Sequence, residues 1–155
     1  MPGTHDDIHC ISLSPARPQT VYVATARGPY RSDDAGQHWD LINHGVQRPY
    51  ALHISAAPDD ADLVLLTVSS SARRQQPQLY RSTTGGRDWQ QVAPLGDEDD
   101  MVVAFDWDPD DPQRVYAGTD HGAVLCSHDR GVSWQPLPVR LPTVAVGALA
   151  VGPAA

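Results

Sequence analysis

Apolar and polar positions alternate with period two along most of the chain, and no stretch holds a helical period for three turns. Three short runs read as strands: Thr20-Val-Tyr-Val-Ala-Thr25, Asp62-Leu-Val-Leu-Leu-Thr67 and Arg114-Val-Tyr-Ala-Gly-Thr119. Ahead of each lies a shorter alternating run that ends at a proline. The pairs Ile11/Leu13, Ile54/Ala56, Phe105/Trp107 and Leu149/Val151 run into Pro15, Pro58, Pro109 and Pro153, at spacings of 43, 51 and 44. A second signal recurs with a similar period. Tyr30 to Trp39, Tyr80 to Trp89 and Leu125 to Trp134 each read Ser-x-Asp-x-Gly-x-x-Trp, with Thr84 in place of Asp in the middle copy. Their serines, Ser32, Ser82 and Ser127, are 50 and 45 residues apart. Each unit therefore reads as strand, Pro turn, strand, Gly turn, strand, tight hairpin and last strand. Fourteen Pro and twelve Gly spread along the chain suit many short strands and oppose long helices.

A four-stranded antiparallel meander of about 45 residues has the size of a propeller blade. The expected fold is all-β: one domain over 1–155, a β-propeller of four-stranded antiparallel blades, with blade-like repeats at about 8–44, 50–95 and 101–139. Residues 143–153 match the first strand of a further blade. Ser69 to Gln78 lengthens the middle unit and reads as an exposed polar loop. Three blades plus one strand do not close a ring, since closure takes four to eight blades. Three readings stay open: a fragment of a six- to eight-bladed propeller, a homodimer that completes a ring, and an open arc.

The hairpin motif has a physical logic. Asp34 and Asp129 can accept backbone N–H groups of their own turn. Gly36, Gly86 and Gly131 can take a positive φ. Ser32, Ser82 and Ser127 can fasten the same turn. Trp39, Trp89 and Trp134 can bury a ring against the blade. Thr84 is a weaker acceptor, so the second hairpin is expected to be the least rigid. These three copies resemble the Asp-box, or BNR, repeat of sialidases, sortilin-type receptors, xyloglucan-degrading enzymes and photosystem II assembly factors. The resemblance runs from about Ile8 to Pro153 and implies a β-propeller.

Composition narrows the partners. Eleven Arg, no Lys and nineteen acids give a net charge of −8, which disfavours nucleic acid and anionic membranes. The polar, acidic Met1 to Asp7 shows no signal-peptide pattern, and the apolar stretch from Val144 to Ala155 is too short to span a bilayer. The expected location is cytoplasmic. Cys10 and Cys126 read as two small buried thiols.

Chemistry is sparser. Tyr22 and Tyr116 share a repeat position, as do Tyr30 and Tyr80, which marks packing. Tyr50 falls outside the pattern, beside Arg48, and these two are the ligand-binding candidates. Links into the innermost strands line one mouth of a propeller, and Asp97-Glu98-Asp99-Asp100 lies on such a link. Asp97, Glu98 and Asp99, with Asp100 beside them, are therefore the candidate acids, with Asp6 and Asp7 in the same phase. Asp106 to Asp111 reads as a Pro turn rather than a calcium loop. No histidine set has zinc-ligand spacing, so neither a metal nor a cofactor is expected. Arg31 and Arg81 sit beside the box and are expected near the outer hairpin. The function expected is a binding or assembly scaffold for a glycan or protein ligand. The alternative is a glycoside hydrolase, sialidase-like or acting on neutral glycans, with an acid at the mouth.

Overall fold

The computed structural model describes residues 3–92, 99–142 and 149–153. Twelve strands form three sheets, and no helix occurs among the described residues. The first sheet holds β1 (Ile8–Leu13), β2 (Val21–Thr25), β3 (Gly28–Ser32) and β4 (Asp40–Leu41). The second holds β5 (Tyr50–Ala56), β6 (Val64–Ser69), β7 (Gln78–Ser82) and β8 (Gln90–Gln91). The third holds β9 (Val102–Trp107), β10 (Val115–Thr119), β11 (Ala123–Ser127) and β12 (Gln135–Arg140). Each is an antiparallel meander in sequence order. The first strands of neighbouring sheets, β1, β5 and β9, lie against one another. All three first strands carry a register shift at the same repeat position, around His9, Leu52 and Val103.

Two apolar layers hold the sheets together. One joins Tyr22, Ala24 and Ile42 of the first sheet to Ile54, Val64, Leu66, Val68 and Trp89 of the second. The other joins Leu63, Leu65, Leu79 and Val92 of the second sheet to Val102, Phe105, Trp107, Val115 and Leu125 of the third. Alternate residues of β6 thus face opposite neighbours. That explains why every residue of β6 is buried, with Val64, Leu66 and Val68 packed toward the first sheet and Leu65 toward the third.

The corner hairpins and the Pro turns meet at the end of each sheet opposite the first-strand starts. The backbone repeats there: Ala35 N–H donates to Gln19, Gly85 N–H to Asp62 and Arg130 N–H to Gln113, at 2.8–2.9 Å. Each corner needs two successive left-handed residues. Ala35, Gly85 and Arg130 have φ of 57°, 66° and 60°, and Gly36, Gly86 and Gly131 follow at 91°, 82° and 82°. The glycine half of this pair is legible in the sequence; the preceding residue is not, because Ala and Arg carry no sign of it.

Two expectations need correction. Of the three corner tryptophans, Trp89 is buried, while Trp39 and Trp134 stay partly exposed. Trp89 reaches back to the first sheet, its Nε1 donating to Ile42 O at 2.6 Å. Trp39 and Trp134 donate within their own turns, to Gly36 O and Gly131 O. The insert after β6 is also more than an exposed loop. Arg74 in it is half-buried and pairs with Asp120 of the third sheet at 3.5 Å. The expected further strand at 143–153 falls largely outside the described residues. Within the described part, Val151 N–H donates to Asp106 Oδ2 of β9.

Candidate functional site

An antiparallel meander puts its first-strand start and its second turn at the same end. In this chain that end gathers the links before β1 and β5, residues 99–101 ahead of β9, the insert after β6, and the turn between β10 and β11. These segments bring together Asp7, His9, Tyr50, Arg74, Asp100, Asp120 and His121.

On one side, His9 Nδ1 lies 2.6 Å from Ala51 O and its Nε2 lies 3.3 Å from Asp7 Oδ1. The imidazole stacks on Tyr50 at 4.5 Å between centroids. Partial burial raises the Tyr50 phenol, the Asp7 charge raises it further, and the Arg74 guanidinium opposes both. Arg74 thus bridges this side to the next, where it meets Asp120. There the carboxylates of Asp100 and Asp120 and the His121 ring have polar atoms within 4.8 Å of one another. Asp100 Oδ2 accepts Thr119 Oγ1 at 2.8 Å, and its Oδ1 accepts His121 N–H at 3.0 Å. Asp120 Oδ1 accepts Met101 N–H at 3.1 Å. Burial raises the Asp100 pKa, and a hydrogen bond to Asp120 raises it further, against the backbone N–H and the hydroxyl that hold its charged form.

The sequence candidates distribute unevenly around this surface. Asp97 and Glu98 lie outside the described residues. Asp99 is exposed, and its neighbour Asp100 is the acid drawn into the cluster. Tyr50 belongs to the site through His9. Arg48 is half-buried, and its Nε has no hydrogen-bond partner among the described residues. Asp7 was named as an acid in phase with the candidates, but its pairing with His9, and Arg74 and Asp120, were not singled out by sequence. Nothing local flags Asp120, and Arg74 sits in a polar insert whose direction only the fold supplies.

The remaining candidates form the corners at the opposite end. Ser32 Oγ donates to Asp34 Oδ1 and accepts Gly36 N–H, both at 2.8 Å. Asp34 accepts the N–H groups of Gln37 and His38, and those contacts with the His38 backbone and ring hold its carboxyl far below the usual range. Ser127, Asp129 and Gly131 repeat this arrangement, with Ser133 N–H as donor. In the middle corner Thr84 Oγ1 accepts Asp88 N–H at 2.9 Å, and Ser82 Oγ accepts Gly86 N–H at 2.9 Å. Arg31 and Arg81 do lie near hairpins, but near those of the next sheet. Arg31 Nη1 donates to Gly85 O at 2.6 Å, and Arg81 Nε donates to Arg130 O at 2.9 Å. Cys126 stands at the equivalent position of the third sheet and is a free thiol, as is Cys10.

Three four-stranded meanders standing side by side on their first strands define a stretch of a β-propeller. Solved structures carry the same architecture. An ancestral GH74 enzyme superposes with a TM-score of 0.73 at 18% identity, over 92% of this chain and 19% of its own. The GH74 xyloglucanase from Xanthomonas campestris gives 0.68 at 22% identity, over 86% and 21%. YCF48, solved with a D1 peptide bound, gives 0.66 at 17% identity, over 88% and 41%. The chain thus spans between about a fifth and two-fifths of the propellers it resembles. No family model and no curated protein matches it. Among the described residues, no helix is long and apolar enough to cross a membrane.

Proposed function

We propose that this propeller stretch is a binding scaffold, and that the surface around Tyr50, His9, Arg74 and Asp120 takes a polypeptide partner. The observation that carries the reading is the packing of the His9 ring on Tyr50, 4.5 Å between centroids, within reach of the Arg74 charge. Asp100 and Asp120 have polar atoms within 4.8 Å of each other and of His121, and their oxygens are held by backbone N–H groups and a threonine hydroxyl. These contacts tie the link before β9 to the turn between β10 and β11. Stacked His9 and Tyr50, with Arg74 beside them, present an aromatic and a cationic group on one surface, a common composition of interface anchors. The YCF48 fold, which binds a D1 peptide, supports a protein ligand for this architecture.

The rival reading is a glycoside hydrolase, supported at the level of fold by the GH74 enzymes. A peptide array and a panel of glycans, probed with the wild-type chain and with Tyr50→Ala, separate the two. Peptide binding that falls about tenfold in Tyr50→Ala, with unchanged melting, is the expected result. Glycan hydrolysis abolished by Asp100→Asn or Glu98→Gln would establish the hydrolase instead.

A further inference from the structure

The two junctions between sheets are built on one plan, and at the corner end they differ in a way that opens a site. At the second junction, Arg130 of the third corner lays its guanidinium across Asp59 in a bidentate pair at 2.9 Å, with Asp60 at 3.6 Å. That side chain fills the gap, and 18% of it is exposed. At the first junction the residue equivalent to Arg130 is Gly85, and the residues equivalent to Asp59 and Asp60 are Ala16 and Arg17. The filling side chain is gone and the charge of its receiving surface is reversed. A cleft of about 520 Å³ remains, lined by Arg17, Gln19, Arg31, Asp33, Asp62 and Arg87.

Three guanidinium groups and two carboxylates leave this cleft one net positive charge on a chain whose net charge is −8. Arg31 and Asp33 are already committed. Arg31 is buried, pairs with Asp33 through Nε and Nη2 at 2.8 and 2.6 Å, and donates its remaining Nη1 to Gly85 O. Asp33 Oδ1 also accepts Thr20 Oγ1 at 2.9 Å. Arg17 and Arg87 are different. Arg17 reaches Asp62 through one contact of 3.4 Å, and Arg87 reaches Asp33 at 3.9 Å, between groups that are all more than a third exposed. Long single contacts of that kind are weak and are readily exchanged for a better anion. Arg87 is held in place by its own turn, Nη1 donating to Thr84 O at 3.2 Å. The cleft volume falls in the usual small-ligand range of about 300–1,000 Å³.

We infer that this cleft is a carboxylate-binding site in which Arg17 and Arg87 clamp a ligand carrying one or two carboxylates. A guanidinium fork matches a planar carboxylate in two parallel hydrogen bonds, as Arg130 does with Asp59 at the sister junction. A free dicarboxylate and an acidic peptide side chain share this chemistry. The site is at the opposite end of the sheets from the surface around Tyr50 and stands independently of the scaffold reading.

The test is isothermal titration calorimetry of the full chain with succinate, with an end-capped tetra-aspartate peptide, and with inorganic phosphate. Saturable binding of succinate or of the peptide is expected, and whichever binds identifies the source of the carboxylate. The double variant Arg17→Gln/Arg87→Gln weakens that binding at least about tenfold without shifting the melting temperature, because both side chains are largely solvated. Gln19→Glu, which adds a carboxylate to the lining, weakens it independently. Absence of saturation by both carboxylate probes up to about 10 mM overturns the inference. So does binding of phosphate alone, or binding that the double variant leaves unchanged.

Discussion

His53 makes the stability of the junction between the second and third sheets depend on pH. It sits on β5, mostly buried, with its ring edge-to-face to Phe105 of β9 at 5.6 Å. Its Nδ1 has no hydrogen-bond partner among the described residues. Burial without a partner disfavours the imidazolium and pushes the pKa from 6.5 down to about 4. The unfolded chain therefore binds a proton more readily than the folded one. Folded stability from this group is full above pH 6.5 and is lost as pH falls toward 4. Lowering the pKa from 6.5 to about 4 corresponds to a loss of about 3 kcal/mol across that window. The perturbation is His53→Leu, which keeps the apolar contact with Phe105 and removes the titration. Urea unfolding followed by tryptophan fluorescence, at steps from about pH 7 to about pH 4.5, reads the difference. The wild-type midpoint should fall steeply over this range and the variant midpoint should fall much less. Parallel curves would refute the argument, since the carboxylates whose pKa values are lowered act mainly at still lower pH.

Other expectations test the junctions and the mouth-side cluster. Arg31→Met leaves Gly85 O with Tyr22 Oη alone, at 3.3 Å, and should cost about 2–3 kcal/mol in urea unfolding, with a smaller cost for the less buried Arg81→Met. Trp89→Ala should cost about 3–5 kcal/mol, and Trp39→Ala roughly half of that, because Trp39 is partly exposed and bonds only its own turn. The folded pKa of Asp100 is raised, so its contribution to stability is present at low pH and lost as pH rises through that value. Asp100→Asn should therefore flatten that part of the pH profile, as read by melting temperature. Asp106→Ala should speed hydrogen exchange at the Val151 amide, which donates to Asp106 Oδ2; unchanged exchange there would separate residues 149–153 from β9.

The parts of the fold that were legible in the sequence are those whose demands are local. A corner needs a small acceptor two residues before another acceptor, a glycine at positive φ and a ring to cover it, so Ser32, Asp34, Gly36 and Trp39 recur as a string. The Pro turns and the period-two runs are local in the same sense. What the string omits is where each corner docks. Arg31 and Arg81 repeat at one position and so carried a signal, yet their acceptors are carbonyls 54 and 49 residues away, and a backbone carbonyl has no sequence identity. The Arg74–Asp120 contact was invisible for a related reason. It spans 46 residues and depends on which way a polar insert folds. The candidate site was legible in its location, at the links before the first strands, and in Tyr50 and Asp100, but not in the partners that decide its chemistry.

That division follows from how a propeller is held together. The backbone plan of each unit is repeated closely, down to the donation from corner to Pro turn and the register shift in the first strand. The apolar layers between units tolerate variation, because any set of Leu, Val, Ile and aromatic side chains of suitable volume fills them. The polar contacts at the corners have no such freedom, since a buried donor without an acceptor is costly. They must be solved separately at each junction. At the second junction Arg130 closes the gap with Asp59. At the first, Gly85 admits the Arg31 guanidinium, and a Cβ there would collide with Arg31 Nη1. The same backbone step therefore yields a sealed ion pair in one place and an open, arginine-lined cleft in the other. Substitutions at a few corner positions decide which junction is sealed by an ion pair and which is left open.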